Sequence, residues 1–175
     1  MVIHSPQGLL PSLQFLHTNS RKRVASVKFR CERDVLVDAL GAAGRAVANR
    51  GGALPVLSGV RAELVGDRLS LTGSDLDLTI AVEATVTGDT DGVAVLPSRI
   101  ASEVVRSLES GKVEVSVVDD EAHISSGRFE SSMRLLPADE FPRLGSPADD
   151  AVTLSATALA EALRQVVPAA SADDA

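Results

Sequence analysis

The stretch Val113-Glu114-Val115-Ser116-Val117-Val118-Asp119-Asp120-Glu121-Ala122-His123-Ile124 decides between two architectures. Its Asp120-Glu121-Ala122-His123 spells the acidic box that an NTP-driven helicase sets at the end of a buried strand. That chemistry needs a partner loop, G-x-x-x-x-G-K-S/T, whose backbone amides cradle the phosphates. The only Gly-Lys pair, Gly111-Lys112, is followed by Val113 and has Arg106 where the first glycine belongs. The valines alternate with polar residues before the acids, and alternation resumes in His123-Ile124-Ser125 after them. Period-two alternation marks a half-buried strand. Acids are common in turns, where they tolerate the backbone and prefer water. The stretch therefore reads as a β-hairpin, and the chain as strand-rich with no nucleotide-driven motor.

Working outward, this hairpin belongs to a repeated order of elements. Gly92–Leu96 reads as a strand, Pro97-Ser98 opens a helix to about Ser110 with Ile100, Val104, Val105 and Leu108 inward, and Gly111 stops it. Lys112–Val118, Ala122–Ser126 and Ser131–Leu136 follow as strands. The same order runs through the preceding half. Lys28–Glu32 alternates as a strand, and Asp34 is placed to cap a helix to about Asn49. That helix has Val35, Leu36, Ala39, Leu40, Ala43 and Val47 on one face and ends at Gly51-Gly52. Strand-like runs follow over Leu54–Leu64, Arg68–Thr72 after a Gly66-Asp67 turn, and Leu76–Val86. The reading is strand-helix-strand-strand-strand, twice.

A longer period lies above this one. A shift of 123 residues sets Phe29 on Val152, Cys31 on Leu154, Leu36 on Leu159, Ala39 on Ala162 and Leu40 on Leu163. Between the copies, Asp139-Glu140-Phe141-Pro142-Arg143-Leu144-Gly145-Ser146-Pro147 has the composition of a linker. Three segments are expected: a leader over 1–26, a first domain over 27–146, and the strand and helix that begin a second domain over 147–175. One strand and one helix cannot bury their apolar faces alone, so the chain is expected to be truncated within that second domain.

Composition narrows the function. Net charge is −7, yet residues 1–26 hold Arg21, Lys22 and Arg23 with no acid, which leaves −10 on the remainder. Nonspecific DNA affinity comes from neutralised phosphates, so a chain this acidic needs a localised basic face to bind DNA. With four Phe and neither Tyr nor Trp, stacking on single-stranded bases has little to work with. Cys31 is the only cysteine, which excludes an internal disulfide and fits a reducing, cytoplasmic compartment. No apolar run approaches the roughly 20 residues of a membrane span. The opening segment makes a poor signal peptide, since Pro11 breaks its apolar part and its positive charges follow that part.

No constellation carries catalysis. Ser74-Asp75-Leu76-Asp77 offers a D-x-D pattern, and on a strand Asp75 and Asp77 would share a face, with Leu76, Leu78 and Ile80 on the other. No further ligand stands nearby to complete a metal shell, so the wet face of a strand explains the pair. No Gly-x-Ser-x-Gly elbow accompanies the serines and histidines. His123 reads as a strand-face residue, and Cys31, alternating with Phe29, as a packed one. The outward helix faces are more informative: the second offers Arg99, Ser102 and Arg106 with Glu103 nearby, and the first offers Arg45 and leads into Arg50.

At these residues a family becomes visible. Val27-Lys28-Phe29-Arg30-Cys31-Glu32-Arg33-Asp34-Val35-Leu36, Arg50-Gly51-Gly52-Ala53-Leu54-Pro55-Val56-Leu57, Leu71-Thr72-Gly73-Ser74-Asp75-Leu76-Asp77, Leu96-Pro97-Ser98-Arg99 and Leu135-Leu136-Pro137-Ala138-Asp139-Glu140-Phe141-Pro142 occur in one order. Together they resemble the bacterial DNA polymerase III β subunit, the sliding clamp, in its actinobacterial form. The resemblance implies an α+β DNA-clamp fold, each domain built from two strand-helix-strand-strand-strand halves with helices on one face of the sheets. It implies three such domains per subunit and two subunits joined head to tail in a ring, with helices lining the bore.

By position, the resemblance implies duplex DNA contacts for Arg50 and Arg99, with Arg106 a further candidate along the same helix. It gives Arg128 to the edge that faces the partner subunit, where Ile100 and Glu130 replace basic residues of some relatives. Implied partners are double-stranded DNA read without regard to sequence, and the polymerase III α subunit and clamp loader, which bind through second and third domains. No cofactor, metal or catalytic residue is implied; the clamp is an accessory of a DNA-directed nucleotidyltransferase. Relatives begin Met-Lys-[Phe/Ile] where Val27-Lys28-Phe29 stands, so initiation at Val27 is expected. A metal-dependent enzyme built on Asp75 and Asp77, and a general α/β protein-interaction module, are the alternatives.

Overall fold

The computed structural model describes residues 26–48, 54–142 and 155–170. It divides into two compact units, the first ending at Pro142 and the second starting at Arg143. In the first unit the order is β1 (Val27–Glu32), α1 (Arg33–Ala43), β2 (Gly59–Val65), β3 (Arg68–Ser74), β4 (Thr79–Thr85), β5 (Thr87–Thr90), β6 (Gly92–Pro97), α2 (Ser98–Ser107), β7 (Lys112–Val118), β8 (Glu121–Ser126) and β9 (Phe129–Arg134). The architecture is the expected α+β arrangement.

The strands form two antiparallel sheets, ordered β5-β1-β7-β8-β9 and β4-β3-β2-β6. The twofold repeat read in the sequence governs the pairing. The first strand of each half joins the other half's meander: β1 pairs with β7, and β6 pairs with β2. At the far end of each meander the chain changes sheets. After β4 it enters β5 and pairs with β1, while after β9 Leu136 bridges Val95 of β6. Each half thus completes the other's sheet, so neither buries its apolar face without its twin.

Alternation sets what lies inside. Val27, Phe29 and Cys31 of β1, Val113, Val115 and Val117 of β7, and Val60, Ala62 and Leu64 of β2 all enter one core. Leu36, Ala39, Leu40 and Ala43 of α1 and Ala101 and Val105 of α2 cover it from the helix side. Each buried aliphatic side chain contributes about 1.5–3 kcal/mol by leaving water. The Asp119-Asp120 turn between β7 and β8 confirms the hairpin. Asp119 takes the left-handed backbone such turns require, with φ +56°, and Val118 pairs directly with Glu121.

Several boundaries differ from expectation. The first helix starts at Arg33 with Glu32 at the capping position, so Asp34 lies in the first turn and caps nothing. It ends at Ala43, tightens through a 3-10 turn over Gly44–Ala46, and is extended by Val47. Backbone packing contributes to this arrangement: a Cβ on Gly73 of β3 would overlap the Ala43 carbonyl oxygen, so the strand passes hard beneath the helix end. The strand expected from Leu54 begins only at Gly59, because Pro55 opens a 3-10 turn over Pro55–Ser58. Val35 and Ile100 are exposed, not inward. On α2 the small Ala101 is buried and its larger neighbour Ile100 is turned to solvent, while Val35 sits in the exposed first turn of α1.

In the second unit, α3 (Ala156–Val166) is the helix expected there. Ser155 caps it, its hydroxyl accepting from the Ala158 amide at 3.4 Å. Leu159 and Leu163, which match Leu36 and Leu40 in the 123-residue repeat, are exposed together with Val166. No helix among the described residues is long and apolar enough to cross a membrane. The expectations for residues 1–25, Val152 and Leu154 lie outside the described residues.

Candidate nucleic-acid interface

Two helices from different halves of the chain meet in antiparallel fashion on the helix side of the first unit. Arg33, in the first turn of α1, reaches the last turn of α2. Its Nη2 donates to the Arg106 carbonyl at 2.7 Å and its Nε to the Val105 carbonyl at 3.4 Å. The Val105 carbonyl also accepts from the Leu108 amide at 3.3 Å, so the guanidinium adds a second donor there as it meets the negative end of the helix dipole. The backbone also joins the two ends, with the Arg33 amide donating to the Gly111 carbonyl at 2.8 Å. Toward the other end, a Cβ on Gly44 would lie 3.1 Å from the Ser98 hydroxyl. Gly44, just past the end of α1, therefore lets the start of α2 approach closely.

A shallow groove of about 480 Å³ runs along this pair. Arg45, Arg99 and Arg106 line it together with Ser58, Ser98 and Ser102, and among the described residues Glu103 is the one acid on its walls. Three guanidiniums against one carboxylate give the groove a formal charge of +2 on a chain whose total is −7. Arg99 is 89% exposed, its Nε donating to Glu103 Oε1 at 2.9 Å. That hydrogen bond, and then the charge of Glu103, raise the guanidinium's already high pKa. Arg106 lies across the groove toward α1, with Nη2 3.7 Å from where a Cβ on Gly41 would stand. Among the described residues neither Arg45 nor Arg106 makes an ion pair.

Exposed guanidiniums over a small-residue floor have the chemistry to contact phosphate oxygens from a polyanion lying along the groove. The structure brings Arg99 and Arg106 together here. Sequence reading puts Arg45 on the outward helix face without giving it a role; the 3-10 turn at Gly44–Ala46 carries it to the groove. Arg50 lies outside the described residues. Arg128 is not in the groove. It sits exposed in the turn between β8 and β9, after Gly127 with φ +60°, at the edge of the five-stranded sheet.

The other candidates take up structural roles. Asp75 and Asp77 are not on a strand, contrary to the D-x-D reading. Asp75 Oδ1 accepts from the Asp77 amide at 3.0 Å and the Leu78 amide at 2.7 Å, and the Ser74 hydroxyl accepts from the Leu76 amide at 3.1 Å. These bonds hold a tight turn in which Leu76 has φ +83° and Leu76 and Leu78 are exposed. Asp75 thus spends an oxygen on its own backbone, and no cluster of three metal-ligating side chains occurs among the described residues. Glu121 and His123 lie on the wet face of β8, 4.0 Å apart, while Ala122 between them is buried. Cys31 is buried, and burial, with Glu32 adding repulsion, pushes its thiol up to about 11, which keeps it protonated and unreactive.

Residues 27–145 match the family model for the DNA polymerase III beta subunit, N-terminal domain. A beta sliding clamp of Streptomyces coelicolor is 30% identical over 148 residues, covering 85% of this chain and 39% of the relative. A solved beta sliding clamp of C. crescentus superposes with a TM-score of 0.66 at 35% identity, over 70% of this chain and 33% of that one. A solved DNA polymerase sliding clamp of Bacillus subtilis superposes with a TM-score of 0.67 at 31% identity, over 71% and 35%. The chain spans about two-fifths of the length of the Streptomyces relatives it matches.

Proposed function

The chain belongs to the DNA polymerase III beta subunit family, and from that premise we propose that it serves as part of a sliding clamp, holding duplex DNA without reading its sequence. The observation that carries this reading is the groove between α1 and α2, where Arg45, Arg99 and Arg106 outnumber the single acid Glu103. Phosphate contacts of this kind position a duplex while leaving its bases unread. A ring retains DNA by enclosure, so a few exposed arginines suffice and their weakness permits sliding. The protein does no chemistry of its own and acts as an accessory to a DNA-directed polymerase in the cytoplasm.

In this reading residues 27–146 form the first clamp domain and 147–175 begin a second. Arg50 extends the DNA contact made by Arg99 and Arg106. Arg128, at the edge of the five-stranded sheet, faces a second subunit in a head-to-tail ring. The polymerase III α subunit and the clamp loader engage parts of the clamp beyond the first domain. The edge position of β9 supports the subunit role, because an edge strand leaves backbone donors and acceptors for another chain.

The test is a titration of the 175-residue chain with a mixed-sequence duplex at low salt, read by the amide and guanidinium NMR signals of α1 and α2. Shifts confined to the groove, equal for unrelated duplex sequences and lost in the Arg45→Glu/Arg99→Glu/Arg106→Glu variant, support the reading. Binding that survives this triple reversal, or that maps to the outer sheet faces, refutes it.

A further inference from the structure

Glu103 is the groove residue whose presence a phosphate-binding surface does not explain. Arg99, Ser102, Glu103 and Arg106 stand at i, i+3, i+4 and i+7 on α2 and share one exposed face. An acid there lowers the groove's charge and repels any backbone phosphate that approaches. It is also not idle: its Oε1 accepts the Arg99 Nε proton at 2.9 Å, in the hydrogen-bonding distance a phosphate oxygen would need. Arg106 points away toward Gly41, so Glu103 engages one of the two α2 arginines and leaves the other open.

We propose that Glu103 is an internal stand-in for phosphate, occupying Arg99 when no duplex is present and surrendering it when one enters, so that it holds the DNA grip at a strength compatible with sliding. The inference rests on the proposed DNA-binding role of the groove and adds to it how that grip is limited. Because both side chains are exposed, 89% for Arg99 and 63% for Glu103, the pair is held weakly and exchanges readily. A weak internal competitor lowers affinity by a small factor, whereas an unopposed third arginine would add a further counterion-releasing contact. The carboxylate also keeps the guanidinium extended along α2, ready for the exchange.

The experiment compares wild type with Glu103→Gln, which keeps size and hydrogen-bonding capacity and removes the charge. Duplex affinity and its salt dependence are measured by NMR titration. Glu109→Gln serves as the control, since Glu109 is exposed just past the helix and makes no ion pair among the described residues. Glu103→Gln is expected to bind about threefold more tightly and to lose more affinity per decade of salt. Glu109→Gln should change affinity by less than about half that factor. In an Arg99→Ala background the gain from Glu103→Gln should largely vanish. Unchanged or weaker binding by Glu103→Gln, with groove signals still moving, overturns the proposal and leaves the DNA-binding role standing. Equal gains from Glu103→Gln and Glu109→Gln, or a full gain without Arg99, also overturn it by reducing the effect to general charge. If the wild-type groove signals do not respond to duplex at all, the DNA-binding role fails and the proposal with it.

Discussion

The helix-side groove and the outer face of the five-stranded sheet are both exposed and both rich in cations, yet they are built to opposite ends. On the sheet, Lys28 and Arg30 of β1 lie between Asp89 of β5 and Glu114 of β7. Lys28 is 3.1 Å from Glu114 and 4.0 Å from Asp89, and Arg30 is 3.2 Å from Asp89 and 3.9 Å from Glu114. Each of these two cations meets two negative charges across the strands, and the patch is electrically closed. On the helices, three arginines face one carboxylate. The difference teaches that an acidic chain can present a site for a polyanion: local complement, and not net charge, decides which cations remain available.

The largest effect expected is on the core that holds both faces in place. Leu40→Ala, at a side chain 1% exposed beneath the groove, should destabilise the first unit by about 2–5 kcal/mol, measured by urea unfolding. The same truncation at its repeat partner Leu163, 47% exposed on α3, should change stability by less than about 0.5 kcal/mol. Next comes the direct test of the contrast. Charge reversal at Arg45, Arg99 and Arg106 should lower duplex affinity by on the order of a hundredfold at low salt. Removing two cations from the sheet face, in Lys28→Ala/Arg30→Ala, should change it by less than about twofold. Comparable losses from the two variants would erase the distinction between the faces.

Finer measurements sharpen it. Arg106→Ala should reduce the slope of log K against log salt by about 0.9, the signature of one fewer phosphate neutralised, with unfolding barely altered. On stability, Lys28→Ala should cost about 0.2–1 kcal/mol in low salt and less in high salt, because exposed ion pairs are screened.

Local chemistry makes much of the fold legible. The β7–β8 hairpin can be read because valines alternate up to two acids and alternation resumes beyond them. The inward stripes at Leu36, Ala39, Leu40 and Ala43 and at Ala101 and Val105 follow helical spacing, although hydrophobicity alone favours the larger Ile100 over its neighbour Ala101. Spacing misleads where polar side chains bond their own backbone. Ser74 and Asp75 turn the chain sharply where alternation alone suggests a strand, and Pro55 opens a turn where a strand is expected to lead into β2. Within the groove, Arg99 and Arg106 are legible from their shared helix face and from family resemblance. Arg45 does not rank with them on sequence, because nothing in local spacing reveals that a 3-10 turn will aim it at a helix more than 50 residues away.

The order of residues by itself determined the repeating strand and helix units, the aliphatic core and the clamp ancestry, since all of these rest on periodicity and on short runs of neighbouring residues. Tertiary structure alone decided that Arg45 joins Arg99 and Arg106, and which of the exposed cations are neutralised. It also decided which of two adjacent residues of α2 is covered: Ala101 is buried while the larger Ile100 is exposed. The reason is physical. Charge complement and burial depend on what packs against a face, and that is a property of partners brought from distant parts of the chain.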